Sequence, residues 1–130
     1  MTDQAKVDAY IDRTIEPDQR ENAKKHSSVV CTAATGNPVI YVSDAFEAHT
    51  GYSPEQAVGR NLGFLQGPDT EPEAVQRFKD LIRNEEAGLV RITNYRADGT
   101  KFLHECDLRP VRDKNDTVTH FIAIQRLAND

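Results

Sequence analysis

Three polar side chains near the C-terminal end of the chain could together bind a small molecule. Asn94, His104 and Gln125 each lie within an otherwise largely apolar segment. An amide carries donors and an acceptor, and a neutral imidazole carries one of each. Left unpaired in a protein interior, each group would cost about 1–3 kcal/mol. They therefore need one another, buried water, or a bound molecule with donors and acceptors along one edge.

A two-residue period predicts that the three segments are strands, because successive side chains point to opposite faces of a strand. This phase places Asn94, His104 and Gln125 on one face. The residues that share that face are Val90, Ile92, Phe102, Cys106, Leu108, Phe121 and Ala123. The phase of the third strand stays open, because Ile122 and Ile124 make its other face apolar too. Because these three polar side chains converge within an apolar wall, the pattern favours a small-molecule pocket. The alternative is an internal network of hydrogen bonds among the polar groups.

Other kinds of site have no sequence signature here. Cys31 and Cys106 form neither a disulfide framework nor a zinc-spacing pattern. No nucleophile–base constellation, Gly-rich phosphate loop or set of metal ligands is present, so we expect neither enzymatic activity nor a metal. Strand phase directs Cys106 into the pocket, as a reactive thiol or, more commonly, a buried structural one. Cys31 is expected to point away from the pocket.

Length, charge and hydropathy exclude several classes of protein. The 130 residues suffice for one domain. The net charge of −5 at pH 7 argues against a nucleic-acid partner, because nucleic-acid surfaces are normally basic. There is no apolar run long enough to span a membrane and no secretory leader. We therefore expect a cytoplasmic protein without a membrane partner.

Residues 1–27 are predicted to form an N-terminal helical extension. Its apolar stripe recurs at helical spacing and consists of Val7, Tyr10, Ile11 and Ile15. Pro17 interrupts the helix. A short helix of this kind is marginal in water by itself, so the stripe either packs on the domain or forms a homodimer contact.

The domain proper is predicted to span residues 28–126, with residues 127–130 as a C-terminal end. The predicted strands are 29–32, 39–42, 89–95, 101–111 and 117–125. Capping-box patterns at 53–56 and 70–73 predict two helix starts, and Gly88 is the predicted stop of the second helix. An Asp-Gly pair predicts a hairpin between the third and fourth strands. Together these elements predict an α+β fold of one sheet and its helices.

A series of motifs runs from Asn37 to Gln125. They are NPVIYVSDAF at 37–46, TGYS at 50–53, GRNLGFLQGPDT at 59–70, NYRADG at 94–99, PVRD at 110–113 and FIAIQ at 121–125. In this order they resemble the light-oxygen-voltage (LOV) domains of the PAS superfamily. The resemblance implies a PAS fold, in which helices packed over one face of a five-stranded antiparallel sheet enclose a flavin, usually FMN.

The resemblance also implies roles for individual residues. Asn94 and Gln125 would hydrogen-bond the polar edge of the flavin ring, Asn61 and Gln66 would line the ribityl chain, and Lys79 would face the phosphate. The full predicted set of cofactor-binding residues is Val30, Thr32, Asn61, Leu62, Leu65, Gln66, Lys79, Asn94, His104, Cys106, Leu108, Ala123 and Gln125.

Three positions depart from the family pattern. Leu62 stands where the family has its photoactive cysteine, so the usual flavin adduct cannot form there. Gly63 replaces a phosphate-facing arginine. A charge-assisted phosphate contact is worth about 1.5–3 kcal/mol, so its loss leaves riboflavin and FAD as alternatives to FMN. His104 replaces an asparagine that bonds the ring edge, and a neutral imidazole can substitute with one donor and one acceptor.

The resemblance implies a blue-light photoreceptor domain that signals without a cysteinyl adduct. We expect photoreduction of the flavin to the neutral semiquinone, followed by rotation of the Gln125 amide when ring nitrogen N5 gains a proton. The electron donor would be Tyr41, Tyr52, Tyr95, Cys106 or an external reductant. The alternatives are a flavin redox sensor that acts in the dark and a cofactor-free PAS dimerisation module. A downstream signalling partner is expected, but the sequence does not identify it.

Overall fold

The computed structural model describes residues 3–128 and contains one antiparallel sheet with helices on both sides. The helices are α1 Gln4–Thr14, α2 Arg20–Ala23, α3 Ala45–Thr50, α4 Pro54–Ala57 and α5 Pro72–Asn84, with 3₁₀ turns at Pro17–Gln19 and Leu62–Leu65. The strands are β1 Ser27–Thr32, β2 Val39–Val42, β3 Gly88–Tyr95, β4 Lys101–Arg112 and β5 Val118–Leu127, in the spatial order β2-β1-β5-β4-β3. None of these helices is long and apolar enough to cross a membrane. The predicted α+β fold with a five-stranded antiparallel sheet is confirmed.

Two tight turns set the register of β3, β4 and β5. Gly99 lies between β3 and β4 with φ +90°, and Asp116 lies between β4 and β5 with φ +64°. Glycine adopts this left-handed region without the steric cost that a side chain brings. In the resulting register Cys106 lies opposite Gln125 and opposite Val90. The alternate residues predicted to share a face therefore do share one, which we call the inner face.

Helices α3, α4 and α5 pack over the inner face. Phe46 of α3 and Ala57 of α4 form a buried cluster with Val29 of β1. Leu81 of α5 packs in a second cluster with Val90 of β3. The first cluster lies on the β2–β1 side of the sheet, the second reaches from β3 to β5, and Leu62 packs against both.

Helix α1 covers part of the opposite face of the sheet, which we call the outer face. Val7 and Ile11 are fully buried and pack with Val30 of β1 and Ile122 of β5. This packing explains why β5 is apolar on both faces. Val7, Ile11 and Ile15 of the N-terminal stripe are therefore buried within the chain and Tyr10 is half-buried; the homodimer stays a prediction.

The two predicted capping boxes have different outcomes. At α4 the box is confirmed, because the Ser53 hydroxyl accepts from the Gln56 backbone N–H at 3.2 Å and the Gln56 side chain accepts from the Ser53 N–H at 2.8 Å. At α5 it is wrong, because the Thr70 hydroxyl donates to the Thr93 carbonyl at 2.6 Å instead. The Glu71 carboxylate also bonds Thr93, at 2.7 Å to both its N–H and its hydroxyl. These bonds attach the start of α5 to β3.

The predicted stop of α5 at Gly88 is also wrong. The helix ends at Asn84, and Glu85 takes the left-handed conformation with φ +55°. Gly88 instead begins β3. A Cβ there would lie 2.9 Å from Arg77 Nη2 and 3.0 Å from Leu81 Cδ1, so glycine allows α5 to pack closely on the strand.

Candidate ligand-binding site

A cavity of about 330 Å³ lies between the inner face, helix α5 and the 3₁₀ turn at Leu62–Leu65. Its volume is within the range of small-molecule pockets. The predicted residues that line it are Asn61, Leu62, Gln66, Lys79, Asn94, Cys106, Leu108, Ala123 and Gln125. The structure brings these side chains together, and their roles in binding stay predictions. Four predicted residues lie outside its walls: Val30, Thr32, Leu65 and His104.

Two buried amides form the polar part of the cavity wall. Gln125 is 1% exposed, and its Oε1 accepts a hydrogen bond from the Ser27 hydroxyl at 3.1 Å. Its Nε2 lies 3.8 Å from Cys106 Sγ, a weak acceptor. Asn94 is 5% exposed, and its Nδ2 donates to the Thr93 carbonyl at 3.3 Å. Both amides therefore retain N–H donors for a molecule in the cavity.

His104 lies on the inner face, as the strand phase predicts, but the expectation that its ring forms part of the cavity wall is wrong. It is fully buried, and both ring nitrogens are bonded, Nδ1 to Asn94 Oδ1 at 2.8 Å and Nε2 to His49 Nε2 at 2.8 Å. Burial, with smaller contributions from His49 and Arg96, lowers the pKa of His104 to about 3. The imidazole is therefore neutral at physiological pH.

The predicted phase of β1 is wrong by one residue. Val29 and Cys31 line the cavity, whereas Val30 packs under α1 on the outer face. Thr32, two residues after Val30, shares its face. Both faces of β1 are covered by helices, so apolar residues occur on each and alternation gives no phase. Leu65 is outside the cavity because its side chain, 1% exposed, is buried in the core instead.

The two thiols of the chain both line the cavity and are both protonated. Burial raises the pKa of Cys106 to about 12 and that of Cys31 to about 11. Neither thiol is therefore a ready thiolate nucleophile in the dark, and a photoactive role for Cys106 stays a prediction. Within residues 3–128 no cluster of three or more potential metal ligands occurs.

One side of the cavity is cationic. Lys79 and Arg83 lie one helical turn apart on α5 and both line the cavity. Arg83 also forms an ion pair with Asp80 at 2.6 Å. Sequence reasoning missed Arg83, although its spacing of four residues from Lys79 is a signal that the two share a helix face. At Gly63 an added Cβ would lie 2.9 Å from Asn61 Oδ1, so that neighbouring amide occupies the space at that position.

The arrangement suits a planar, largely apolar molecule with a polar edge. Asn94 and Gln125 supply N–H donors, and Asn94 Oδ1 retains one of its two acceptor lone pairs beside the bond to His104. Leu62, Leu108 and other apolar residues supply the flat walls. A ring edge with a carbonyl next to an N–H matches this order of donor and acceptor. An anionic tail would be attracted to the cationic side.

Comparison with known proteins agrees with this architecture. A family model described as a PAS domain matches residues 26–126. The bacterioopsin transcriptional activator of Halobacterium salinarum is 37% identical over 120 residues, which cover 88% of this chain and 18% of that protein. The blue-light photoreceptor of Listeria innocua is 41% identical over 90 residues, which cover 69% of this chain and 35% of that protein.

A solved structure gives a more specific match. The LOV domain of a blue-light activated histidine kinase from Erythrobacter litoralis has a TM-score of 0.76 and 40% sequence identity, and the match covers 79% of this chain and 95% of that one. The chain therefore belongs to the PAS domain family and, within it, to the LOV domains. It spans only a fraction of the length of the two curated relatives.

Proposed function

We propose that the chain is a flavin-binding blue-light photoreceptor domain that signals through photoreduction of the flavin to the neutral semiquinone, without a cysteinyl adduct and without catalytic turnover. Relatives named as blue-light photoreceptors support the light-sensing role. Leu62 supports the route without an adduct, because no thiol stands at that position. The amide donors and apolar walls of the cavity suit a flavin ring.

FMN is the flavin that we propose, with riboflavin and FAD as alternatives. Asn94 and Gln125 would hold the ring edge, and Leu62, Leu108 and Ala123 would pack on the ring. Asn61 and Gln66 would lie along the side chain of the flavin. The cations Lys79 and Arg83 would attract its phosphate. Arg83 would compensate for the phosphate-facing arginine that the family resemblance implies at position 63, where this chain has Gly63.

The observation that carries the proposal is the bonding of Gln125. Its Oε1 is held by Ser27, the first residue of β1, so its Nε2 is the group free to donate to an acceptor in the cavity. When bound, a flavin supplies blue-light absorption and takes up one electron from a reductant and one proton at N5. Gln125 would then have to turn Oε1 towards the new N–H, which releases Ser27. The change would reach the start of β1 and the N-terminal helices before it.

The electron donor is proposed to be an external reductant, Cys106 or a tyrosine. Of the three tyrosine candidates, Tyr52 packs in the same cluster as the cavity residue Leu62. Tyr41 packs on the outer face with Tyr10, and the Tyr95 hydroxyl accepts from the Asp69 N–H at 2.8 Å. Tyr52 is therefore the best placed of the three.

The test is the substitution Gln125→Leu in flavin-loaded protein. Under blue light without oxygen and with mild reductant, we expect absorption spectra to show that photoreduction persists. Amide hydrogen exchange should show that the light-dependent change at the start of β1 is lost. Gln76→Leu, on the exposed side of α5, is the matched control and should keep both responses.

An unchanged exchange response in Gln125→Leu would remove Gln125 from the mechanism. The same response after chemical reduction in the dark, with none under light, would favour the redox sensor. Protein that takes up no added flavin would leave the PAS dimerisation module as the function.

A further inference from the structure

A hydrogen-bonded chain of side chains leads from helix α3 to the cavity wall. His49 Nε2 lies 2.8 Å from His104 Nε2, and His104 Nδ1 lies 2.8 Å from Asn94 Oδ1. The two imidazoles also pack against Phe102, whose ring centroid is 4.8 Å from that of His104 and 5.5 Å from that of His49. His104 is fully buried and Asn94 nearly so. The last member of the chain, Asn94, is the one that faces the cavity.

The hydrogen bonds around the Asn94 amide assign a position to each proton in the chain. Nδ2 must point to the Thr93 carbonyl, because the reversed amide would set two acceptor oxygens against each other. Oδ1 therefore faces His104 Nδ1, which must donate. A neutral imidazole carries one N–H, so His104 Nε2 is an acceptor and His49 Nε2 must donate to it.

We propose that His49 and His104 are positioning residues that fix the orientation of the Asn94 carboxamide, and with it the order of donor and acceptor presented to the ligand. Asn94 then offers one Nδ2 hydrogen and one Oδ1 lone pair to the cavity in a set order. The matching ligand edge carries a carbonyl beside an N–H, as the pyrimidine edge of a flavin does. This inference rests on the proposed flavin binding and specifies how the chain selects that edge.

The position of His104 argues against direct contact with the ligand. The family resemblance implies that the residue at this position touches the ring, but both nitrogens of His104 are already bonded to protein groups at 2.8 Å. Its ring lies behind Asn94 and outside the cavity walls. The effect of His104 on the ligand is therefore exerted through Asn94.

The first test reads the protons directly, in protein without added flavin. With nitrogen-15 in the histidine rings, NMR distinguishes protonated from unprotonated ring nitrogens. We expect a proton on Nδ1 of His104 and none on Nε2, and a proton on Nε2 of His49. A proton on His104 Nε2 instead of Nδ1 would overturn the proposal.

The second test measures riboflavin affinity by quenching of its fluorescence. His104→Leu removes the donor to Asn94 and should raise the dissociation constant about 10-fold, the effect expected from one weakened hydrogen bond. His104→Asn can donate to Asn94 and should restore most of the affinity. His120→Leu is the matched control, because His120 lies on the outer face against Tyr10 and should leave riboflavin binding unchanged.

A spectroscopic readout separates positioning from a general loss of structure. Infrared carbonyl bands of bound riboflavin should shift in His104→Leu and return in His104→Asn. If His104→Leu does not fold, His49→Leu on α3 breaks the chain one residue further from the cavity and should shift the same bands. Equal affinity and equal bands in all variants would overturn the proposal. If the unmodified protein binds no riboflavin, the proposed flavin binding is wrong. The NMR measurement of the protons on His49 and His104 then still tests the order of hydrogen bonds from His49 to Asn94.

Discussion

Leu62 places an aliphatic side chain in the cavity wall, at the position where the resemblance to LOV domains implies a photoactive cysteine. The two resident thiols, Cys31 and Cys106, also line the cavity. Burial raises the pKa of Cys106 to about 12 and that of Cys31 to about 11, so both remain protonated at neutral pH. We therefore propose that the residue at position 62 decides whether an adduct forms.

The substitution Leu62→Cys is expected to convert the domain to adduct formation. The new thiol would stand in the cavity wall beside the proposed flavin ring. Blue light should then bleach the visible flavin band and produce a near-ultraviolet species that recovers in the dark. Absorption spectra before, during and after illumination measure this change.

A second cysteine variant serves as the control. Cys106→Ala combined with Leu62→Cys should still form the adduct, because Cys106 takes no part in it. An adduct in the unmodified protein that disappears in Cys106→Ala would show instead that Cys106 is the photoactive thiol.

The strands show what could be predicted from sequence and what could not. On β3 the buried residues Val90, Ile92 and Asn94 alternate with more exposed ones, and the predicted phase was right. On β1 four successive residues, 27–30, are buried, because α3 covers one face and α1 the other. A slip of one residue exchanges the faces, so the sequence pattern predicts Val30 in the cavity wall where the structure places Val29. Alternation gives the phase only where one face is less covered than the other.

Helix α5 supplies both cations of the cavity. Residues four apart lie on the same helix face, so Lys79 and Arg83 can contact one anionic group together. Arg83 is 68% exposed and paired with Asp80. An exposed ion pair of this kind contributes little stability, so Arg83 remains available to a phosphate.

Removing both cations is expected to abolish the preference for FMN over riboflavin. In Lys79→Gln combined with Arg83→Gln, the dissociation constant of FMN should rise about 10- to 100-fold, the loss of a charge-assisted contact. The affinity for riboflavin should not change, because riboflavin lacks the phosphate. Parallel fluorescence titrations with the two flavins measure the ratio. Arg77→Gln on the same helix is the control, since Arg77 bonds the Leu89 carbonyl outside the cavity.

Equal affinity for FMN and riboflavin in the unmodified protein would contradict this role for α5. Binding of FMN should also weaken with added salt, because the cations lie partly in solvent and are screened.

The fold of the whole molecule depends on contacts between residues far apart in the chain, and the local sequence does not predict these contacts. The N-terminal stripe was predicted, yet its docking on the outer face, where Ile11 packs with Ile122, was only one of two alternatives. Nothing in the segment around His49 indicates its bond to His104. Strand alternation already predicts the cavity residues of the later strands, and the family motifs agree with it. Which polar groups bond one another inside the molecule became clear only from the fold.

Burial of His104 couples the stability of the molecule to pH. In the fold the pKa of His104 is lowered to about 3 from its usual 6.5, chiefly by burial. As pH falls below the usual value, the unfolded chain takes up a proton that the folded protein refuses. The free energy of unfolding therefore decreases as the pH falls from about 6.5 to about 3. Carboxylates affect the stability at lower pH. Arg126 and Arg91 lower the pKa of Glu105 from its usual 4.5, so the stability that the ionised Glu105 contributes is lost only as the pH falls below that value.

His104→Asn should remove this acid sensitivity. With one proton taken up by the unfolded state alone, His104 should account for a loss of about 2 kcal/mol of unfolding free energy between roughly pH 7 and pH 5. Asparagine does not titrate, so the variant should lose that much less over the same interval. Urea unfolding of both flavin-free proteins at the two pH values measures the difference. His120, whose pKa burial and Arg13 also lower, is present in both and cancels. Equal losses in the two proteins would show that the folded protein also protonates His104. That result would contradict a neutral His104 ring held by two hydrogen bonds.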